Sequence, residues 1–330
     1  MLPTRVVSYD HTGPAREVLA LGELRLPGPQ PGEVVVRLHA SGVNPTDLKA
    51  RGGVPGRGQD FPTIVPHHDG AGEIEAVGPG GDDGLVGRRV WVFGARAGRP
   101  FGTAAERVVL PAYNVAPLPD GVSFEEGACL GVPVMTAYNA VLGDGPVAGR
   151  TVLVTGGAGA VGHYAIQIAR HAGAVVVATA STPEKRRGAS EAGAHHVVDY
   201  REPDAAERIL AVTGGRGADA VVDVDTTANA ALLARVTAPF GRIASYGSGG
   251  LSADVPIRDL RQRCVSMRFL TIHRFGPDVL RPAAAAIGAM LEAGLLRHRI
   301  AARYTLEETA LAHEALESGD IVGKVVVLVP

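Results

Sequence analysis

The chain has 330 residues, 46% of them apolar, with 32 basic and 34 acidic side chains and a formal net charge of -2. That is enough material for two hydrophobic cores, and it excludes a disordered or collagen-like chain; the scattered bases give no footprint for nucleic acid. No apolar run approaches the ~18 residues of a bilayer span, MLPTRVVSYD lacks a secretory signal, and Cys129 and Cys264 are too few for a disulfide framework, so a cytoplasmic protein without a membrane partner is expected.

From about residue 5 to 115 short β-branched runs alternate with glycine and proline: TRVVSYD, EVVVRLHASGV, AGEIEAVGPGG, RRVWVFG and ERVVLPA. In EVVVRLHA, Val34, Val36 and Leu38 alternate with Val35, Arg37 and His39, the period of a strand with one buried face. Residues 1–119 therefore read as a small irregular β-barrel. Near residue 120 GVSFEEGACLGVPVMTAYNAVL brings in helical periods, and from Thr151 the chain alternates strongly. TVLVT, AVVVATA, HHVVDY, ADAVVDVD and GRIASYG are each followed by a helix-like segment, with VSMRFLTIH after the last. This predicts a doubly wound parallel sheet over residues 120–272, with helices on both faces. After His273 the pattern predicts an alanine-rich helix from Leu280 to Leu296, a short connection, a helix starting near Thr305 and a last strand, GKVVVLVP.

The segment TVLVTGGAGAVGHYAIQIARHAG places Gly157, Gly159 and Gly162 in G-x-G-x-x-G spacing. In a chain with 44 glycines that pattern is expected about once by chance, so its context matters more than its presence. It directly follows a strand and opens a helix with one apolar face, formed by Val161, Tyr164, Ala165, Ile168, Ala169 and Ala172. Gly157 is expected to permit the tight turn, Gly159 the approach of a pyrophosphate, and Gly162 the close packing of helix on sheet. A glycine-rich turn without a ligand is the competing reading. The second strand ends in ATAST, with no acid for a ribose diol until Glu184, while Ser181, Lys185, Arg186 and Arg187 suit a 2'-phosphate. NADPH is therefore expected over NADH, although Lys185 also reads as a solvated helix residue.

With these motifs in place, the chain resembles the zinc-free quinone oxidoreductase (zeta-crystallin-like) branch of the medium-chain dehydrogenase/reductase superfamily. The resemblance rests on SGVNPTDLKARGG (41–53), VPHHDGAGEIEAVG (65–78), GACLGVPVMTAYNAV (127–141), VLVTGGAGAVG (152–162) and GAHHVVDYRE (193–202). It implies an α/β protein with a GroES-like β-barrel catalytic domain (1–119 and 273–330) and an inserted Rossmann NADPH-binding domain (120–272). Zinc alcohol dehydrogenases of the superfamily carry Cys, His and Cys at about the positions of Asn44, His68 and Val132. Only His68 survives, so no metal site is expected, and a shifted site using Cys129 remains as an alternative.

Carried over by position, the amides of Ala158, Gly159, Ala160 and Val161 would meet the pyrophosphate. Ser181, Lys185 and Tyr200 would surround the 2'-phosphate. Thr136, the turn Ser245, Tyr246, Gly247 and Ser248, and Phe269 would border the nicotinamide. Asn44 offers an amide near the nicotinamide, or is simply a turn residue before Pro45. Relatives often place a tyrosine in the loop after the N-P motif. Here TDLKARGGVPGRGQDFP contains none, and Lys49 stands at about that position, which leaves His68 and Lys49 as candidate proton donors or, equally, a structural and a solvated side chain. The resemblance implies an NADPH-dependent reductase of a small quinone or enone. An enoyl-thioester reductase of lipid or polyketide synthesis and a non-catalytic, crystallin-like NADPH-binding protein are the alternatives. A homodimer paired through VSMRFLTIH is expected, since an apolar edge strand exposes unpaired backbone groups.

Overall fold

The computed structural model describes residues 1–53 and 59–330. Contacts divide the chain into two compact units: Met1–Val132, His273–Ala293 and His298–Pro330 form the first, and Pro133–Ile272 with Gly294–Arg297 the second. Part of the loop expected after the N-P motif, residues 54–58, lies outside the described residues. No helix among the described residues is long and apolar enough to cross a membrane.

The first unit opens with β1 (Leu2–Ser8), α1 (Ala15–Val18), β2 (Ala20–Leu26), β3 (Glu33–Val43), α2 (Pro45–Gly52), β4 (Asp69–Val77), β5 (Arg89–Val92), β6 (Arg107–Pro111), β7 (Val115–Pro117) and α3 (Phe124–Gly127). The alternation expected in β3 is broken, because Val34, Val35 and Val36 are all buried. β3 pairs with β6 on one edge and β4 on the other, and two irregularities in the β3–β4 ladder, at Val35/Val36 and Leu38/Ala40, turn successive side chains inward. The first unit keeps its hold on the chain as far as Val132, beyond the boundary expected near residue 119. The cause is close packing of α3: a Cβ on Gly127 would come within 2.7 Å of the Ala71 side chain.

The second unit follows from α4 (Gly131–Leu142), which begins at the end of the first: β8 (Thr151–Val154), α5 (Ala160–His171), β9 (Val175–Thr179), α6 (Pro183–Glu191), β10 (His196–Val198), α7 (Ala205–Val212), β11 (Ala218–Asp223), α8 (Thr226–Val236), β12 (Thr237–Ser245), α9 (Ile257–Gln262) and β13 (Ser266–Phe269). The sheet order is β10-β9-β8-β11-β12-β13, and every pairing is parallel. Both faces are covered, which is why the strands read as continuous apolar runs. The strand order reverses between β8 and β11, so the switch point lies at their carboxyl ends. Leu153, Val177, Ile209, Val221, Leu233 and Ile243 lie in one core beneath it. The last strand is shorter and wetter than VSMRFLTIH suggests: β13 covers four residues, none of them buried.

The chain then returns to the first unit through α10 (Pro277–Glu292), β14 (Ile300–Thr305), α11 (Thr309–Glu317) and β15 (Lys324–Leu328), completing a seven-stranded sheet of order β14-β15-β3-β4-β5-β7 with β6 on β3. α10 starts and ends a few residues earlier than the sequence pattern suggests. Pro277 suits its first turn, since an N-terminal proline gives up no helical hydrogen bond. β14 replaces the expected connection. Its residues alternate between half-buried and exposed, with arginine and tyrosine in the run, and it forms only because β15 offers a parallel edge.

Candidate functional site

In the second unit, the turn after β8 is made by Gly156, at φ +65°, rather than by Gly157. Gly157 is instead a packing position: a Cβ there would lie 2.9 Å from the side chains of Ala178 and Ile166. A Cβ on Gly162 would collide with the Gly156 carbonyl oxygen, so this glycine does let α5 approach the turn. Gly159 is the N-cap of α5, which leaves the amides of Ala160 and Val161 in its first turn without helical acceptors. A loop in which glycine is required by a backbone angle at one position and by crowding at two others, ending on a helix N-terminus, fits a dinucleotide pyrophosphate.

At the end of β9, Ser181 is buried and its carbonyl oxygen accepts from Arg186 Nη1 at 2.6 Å and from Arg201 Nη2. Both guanidiniums also meet Asp199, at 2.6 Å from Arg186 Nη1 and 2.8 Å from Arg201 Nη2. Hydrogen bonds from Arg201, first of all, hold the Asp199 carboxyl well below the usual carboxylate range. Thr182 caps α6 by accepting from the Lys185 amide at 3.2 Å. Among the described residues neither Lys185 nor Arg187 makes an ion pair, so cationic charge remains beside Ser181 after Asp199 is matched. Tyr200 is half exposed, between Asp199 and Arg201 in the chain.

The expected nicotinamide-side residues divide. Thr136 is buried in α4. Ser245 turns inward: its Oγ lies 2.5 Å from Thr226 Oγ1 and donates to Asp223 Oδ2 at 3.3 Å. Asp223 has no exposed surface and also accepts from Thr155 Oγ1, Thr226 Oγ1 and Asn229 Nδ2, at 2.8–2.9 Å. This carboxylate ties together the carboxyl ends of β8, β11 and β12, and the sequence reading passed over it; an Asp closing the apolar run ADAVVD was its only signal. Tyr246 donates its amide to the Asp223 carbonyl, Gly247 sits so close to Val224 that a Cβ would collide with its carbonyl oxygen, and Ser248 follows in the turn. Phe269 is largely exposed on β13.

In the first unit, Asn44, at the junction of β3 and α2, uses both ends of its amide internally. Its Nδ2 donates to Asp69 Oδ2 at 2.7 Å and its Oδ1 accepts from Lys324 Nζ at 2.5 Å. Lys324 also reaches Asp69 Oδ2 at 3.1 Å, and Asp69 Oδ1 accepts from the Val132 amide at 2.8 Å. The three side chains are buried. Asn44 is thus neither a simple turn residue nor a free amide. Burial raises the Asp69 carboxyl against the pull of Lys324 and Asn44. Asp47, whose Oδ2 accepts from the Asn44 amide at 2.8 Å, is pushed up to about 7 by burial, with repulsion from Asp69 adding. Lys49 is exposed on α2.

Four imidazoles lie close by. His67, at φ +76°, connects Ser41 Oγ (2.8 Å from its Nδ1) to His313 Nε2 (2.9 Å from its Nε2), so one ring of that pair donates and the other accepts. His68 stacks on His273 with ring centroids 3.9 Å apart. Burial holds all four below the ordinary histidine range: His67 and His68 well below it, His273 at about 4 and His313 at about 3.

Residues 30–120 match the family model of the alcohol dehydrogenase GroES-like domain, and residues 160–286 that of the zinc-binding dehydrogenases. A human quinone oxidoreductase is 32% identical over 323 residues, covering 97% of this chain and 96% of its own. Among solved structures, an NAD-dependent alcohol dehydrogenase superposes with a TM-score of 0.88 at 34% identity, over 99% of this chain and 100% of its own. The mycobacterial protein Rv1454c, solved in complex with NADPH, gives 0.85 at 32% identity over 98% and 99%. The residues here do not fit the zinc of the second family model's name. Asn44 is committed to Asp69 and Lys324, and Val132 contributes only an amide. The buried Cys129 thiol donates to the Glu125 carbonyl at 3.3 Å, and burial pushes its pKa up to about 12. Among the described residues no group of three or more His, Cys, Asp or Glu is arranged to hold a metal.

The buried imidazoles determine how stability follows pH. As pH falls through about 6.5, the unfolded chain protonates four imidazoles that the fold keeps neutral, so stability is lost toward acid. Asp47 acts in the opposite sense, retaining in the fold up to about pH 7 a proton that the unfolded chain loses near 4, and Asp69 adds to this. Near pH 5 the four imidazoles outweigh the two carboxyls, so protons should be taken up on unfolding. Urea titrations at pH 7, 6 and 5 should give falling midpoints. A midpoint that rises toward pH 5 would show that the imidazoles are charged in the fold.

Proposed function

We propose, from the premise that the chain belongs to the quinone oxidoreductase family of the medium-chain dehydrogenase/reductases, that it is a zinc-independent, NADPH-dependent reductase of quinones or other conjugated carbonyls. It is an oxidoreductase of that superfamily. The acceptor, the preference for NADPH and the independence from zinc are the proposal. The observation that carries it is the engagement of Asn44 with Asp69 and Lys324, which puts a committed amide where zinc relatives hold a thiolate. Without a Lewis acid to stabilise a localised alkoxide, the protein suits an acceptor that spreads incoming negative charge over its own π-system.

When bound, NADPH supplies the hydride. The glycine turn and the amides of Ala158, Ala160 and Val161 would hold the pyrophosphate, whereas the Gly159 amide, expected to join them, is spent on the Gly156 carbonyl at 3.0 Å; Ser181, Lys185 and Tyr200 would receive the 2'-phosphate. Asp223 keeps the carboxyl ends of β8, β11 and β12 in register, so that the turn Ser245–Ser248 presents a fixed backbone to the nicotinamide side. In the second unit Thr136 is proposed as a neutral donor on the nicotinamide side, and in the first unit Lys49 remains a candidate proton donor. The protein's share is positioning and exclusion of water, with modest electrostatic help.

A panel assay tests the acceptor. Metal-free enzyme should oxidise NADPH with 1,4-benzoquinone or a small enone, and should show essentially no turnover with ethanol plus NAD+ or NADP+ or with acetaldehyde plus NADPH. Robust alcohol oxidation would instead align it with the alcohol dehydrogenase it superposes on, and no turnover with any acceptor would favour a binding protein.

Cofactor choice has its own test. Lys185→Ala should raise KM for NADPH about tenfold, the value of one charge-assisted contact, and leave KM for NADH within about twofold. A wild type that prefers NADH would remove the 2'-phosphate from the proposal.

A homodimer is proposed through β13, one of the two edges of the six-stranded sheet. Largely exposed Phe269 and Phe240, on β13 and β12, support this reading. Light scattering at micromolar concentration should return twice the chain mass, and a monomer would count against it.

A further inference from the structure

Among the polar side chains of the first unit that make no hydrogen bond to a described residue are His68, His273 and Arg96. His68 immediately precedes β4 and is buried. Its ring lies on that of His273, and the Nδ1 atoms of both are buried without a partner. Arg96 stands in the turn after β5, and that turn is tied to His68 directly, since the Ala95 amide donates to the His68 carbonyl at 3.0 Å. Burial depresses both imidazoles most, and the positive charge of Arg96 adds to it at each, so the three groups share one electrostatic neighbourhood.

Arg96 Nη1 is buried without a partner, and the residue keeps part of its surface in solvent. No ion pair involves it among the described residues. The acid that feels its charge is Asp47, which is itself pushed up to about 7. The other charges bearing on the stacked rings are Arg99 and Arg274, both cationic. Arg99 has Nε and Nη1 buried and unpartnered as well, and its Nη2 makes only long contacts, 3.5 Å to the Gly94 carbonyl and 3.4 Å to Asn114 Oδ1.

A buried donor without an acceptor is costly, and a buried guanidinium more so. Other arginines in this chain have acidic partners: Arg51 is paired with Glu317, although its Nε is buried without a partner, and Arg186 and Arg201 are paired with Asp199. Buried unpartnered atoms of Arg96, Arg99, His68 and His273 instead fall in one neighbourhood, among others elsewhere in the chain. The geometry points to an anion-binding subsite in the first unit, formed by Arg96 with His68 and His273, which takes the carboxylate of an acidic acceptor. One guanidinium and two imidazole N–H groups match a planar monoanion in charge and donor number better than a phosphate dianion. The acceptor class is therefore a conjugated carbonyl that carries a carboxylate, an inference that rests on the reductase reading above.

The test uses full-length enzyme, 4-oxopent-2-enoate and its methyl ester as acceptors with NADPH, and levulinate, an unconjugated keto acid, as a binding probe by calorimetry. The wild type should prefer the acid in kcat/KM and bind levulinate. Arg96→Gln should lower the acid-to-ester ratio by about tenfold or more and abolish the levulinate heat, and Arg96→Lys should restore part of both. Circular dichroism establishes that each variant is folded, and if Arg96→Gln is not, Arg96→Lys against wild type gives the same comparison. A wild type that prefers the ester and gives no levulinate heat, or an Arg96→Gln ratio within twofold of wild type, overturns the subsite. Reduction of neutral enones without levulinate binding would sink the subsite and leave the reductase reading intact. Arg96-dependent levulinate binding without reduction of either acceptor would do the reverse.

Discussion

Asp69 is a carboxylate with no solvent exposure, and the first unit is arranged so that it can exist there. Removing an ion of this kind from water costs several kcal/mol even after relaxation, and the cost is recovered only when its oxygens are fully hydrogen-bonded and its charge is matched. Asn44 supplies an amide N–H, Val132 a backbone N–H and Lys324 the counter-charge. These come from the end of β3, the start of α4 and the start of β15. One charge thereby fixes where three distant segments of chain begin or end. Gly131, at φ +38°, belongs to the same constraint, because any Cβ there would collide with Asp69 Oδ1. The chemistry of position 44 follows as well: an amide spent on both ends cannot act as a ligand for a metal.

The second unit solves the same problem at its switch point. Asp223 is fully buried and accepts from three hydroxyls and an amide, joining β8, β11, β12 and the start of α8. A polar network that is completely satisfied holds one arrangement and no other, which fixes the turn that follows β12. The glycine turn is shaped by crowding rather than flexibility, since Gly157 and Gly162 each lie where a side chain would collide with its neighbours.

The parallel sheet and its glycine turn were determined by the sequence alone, because both are local: apolar runs followed by helical periods, and three glycines at fixed spacing between a strand and a helix. So was the absence of an acid at the end of β9, which bears on the choice of cofactor. Tertiary structure decided what depends on distant partners. β14 is a strand because β15 lies beside it, although its own alternation exposes one face and half-buries the other. The positive φ of the turn fell to Gly156, one residue before the spaced motif begins. Asn44 reads in the sequence as an amide before a proline; only folding brings Lys324, 280 residues away, onto its carbonyl. Ser245 belongs by position to the cofactor turn, yet its hydroxyl points to Asp223. His68 and His273, 205 residues apart, become a stacked pair beside Arg96 only in three dimensions. Periodicity records which face of an element is buried, and it carries no record of what lies opposite, so the polar networks that define both sites came from the fold.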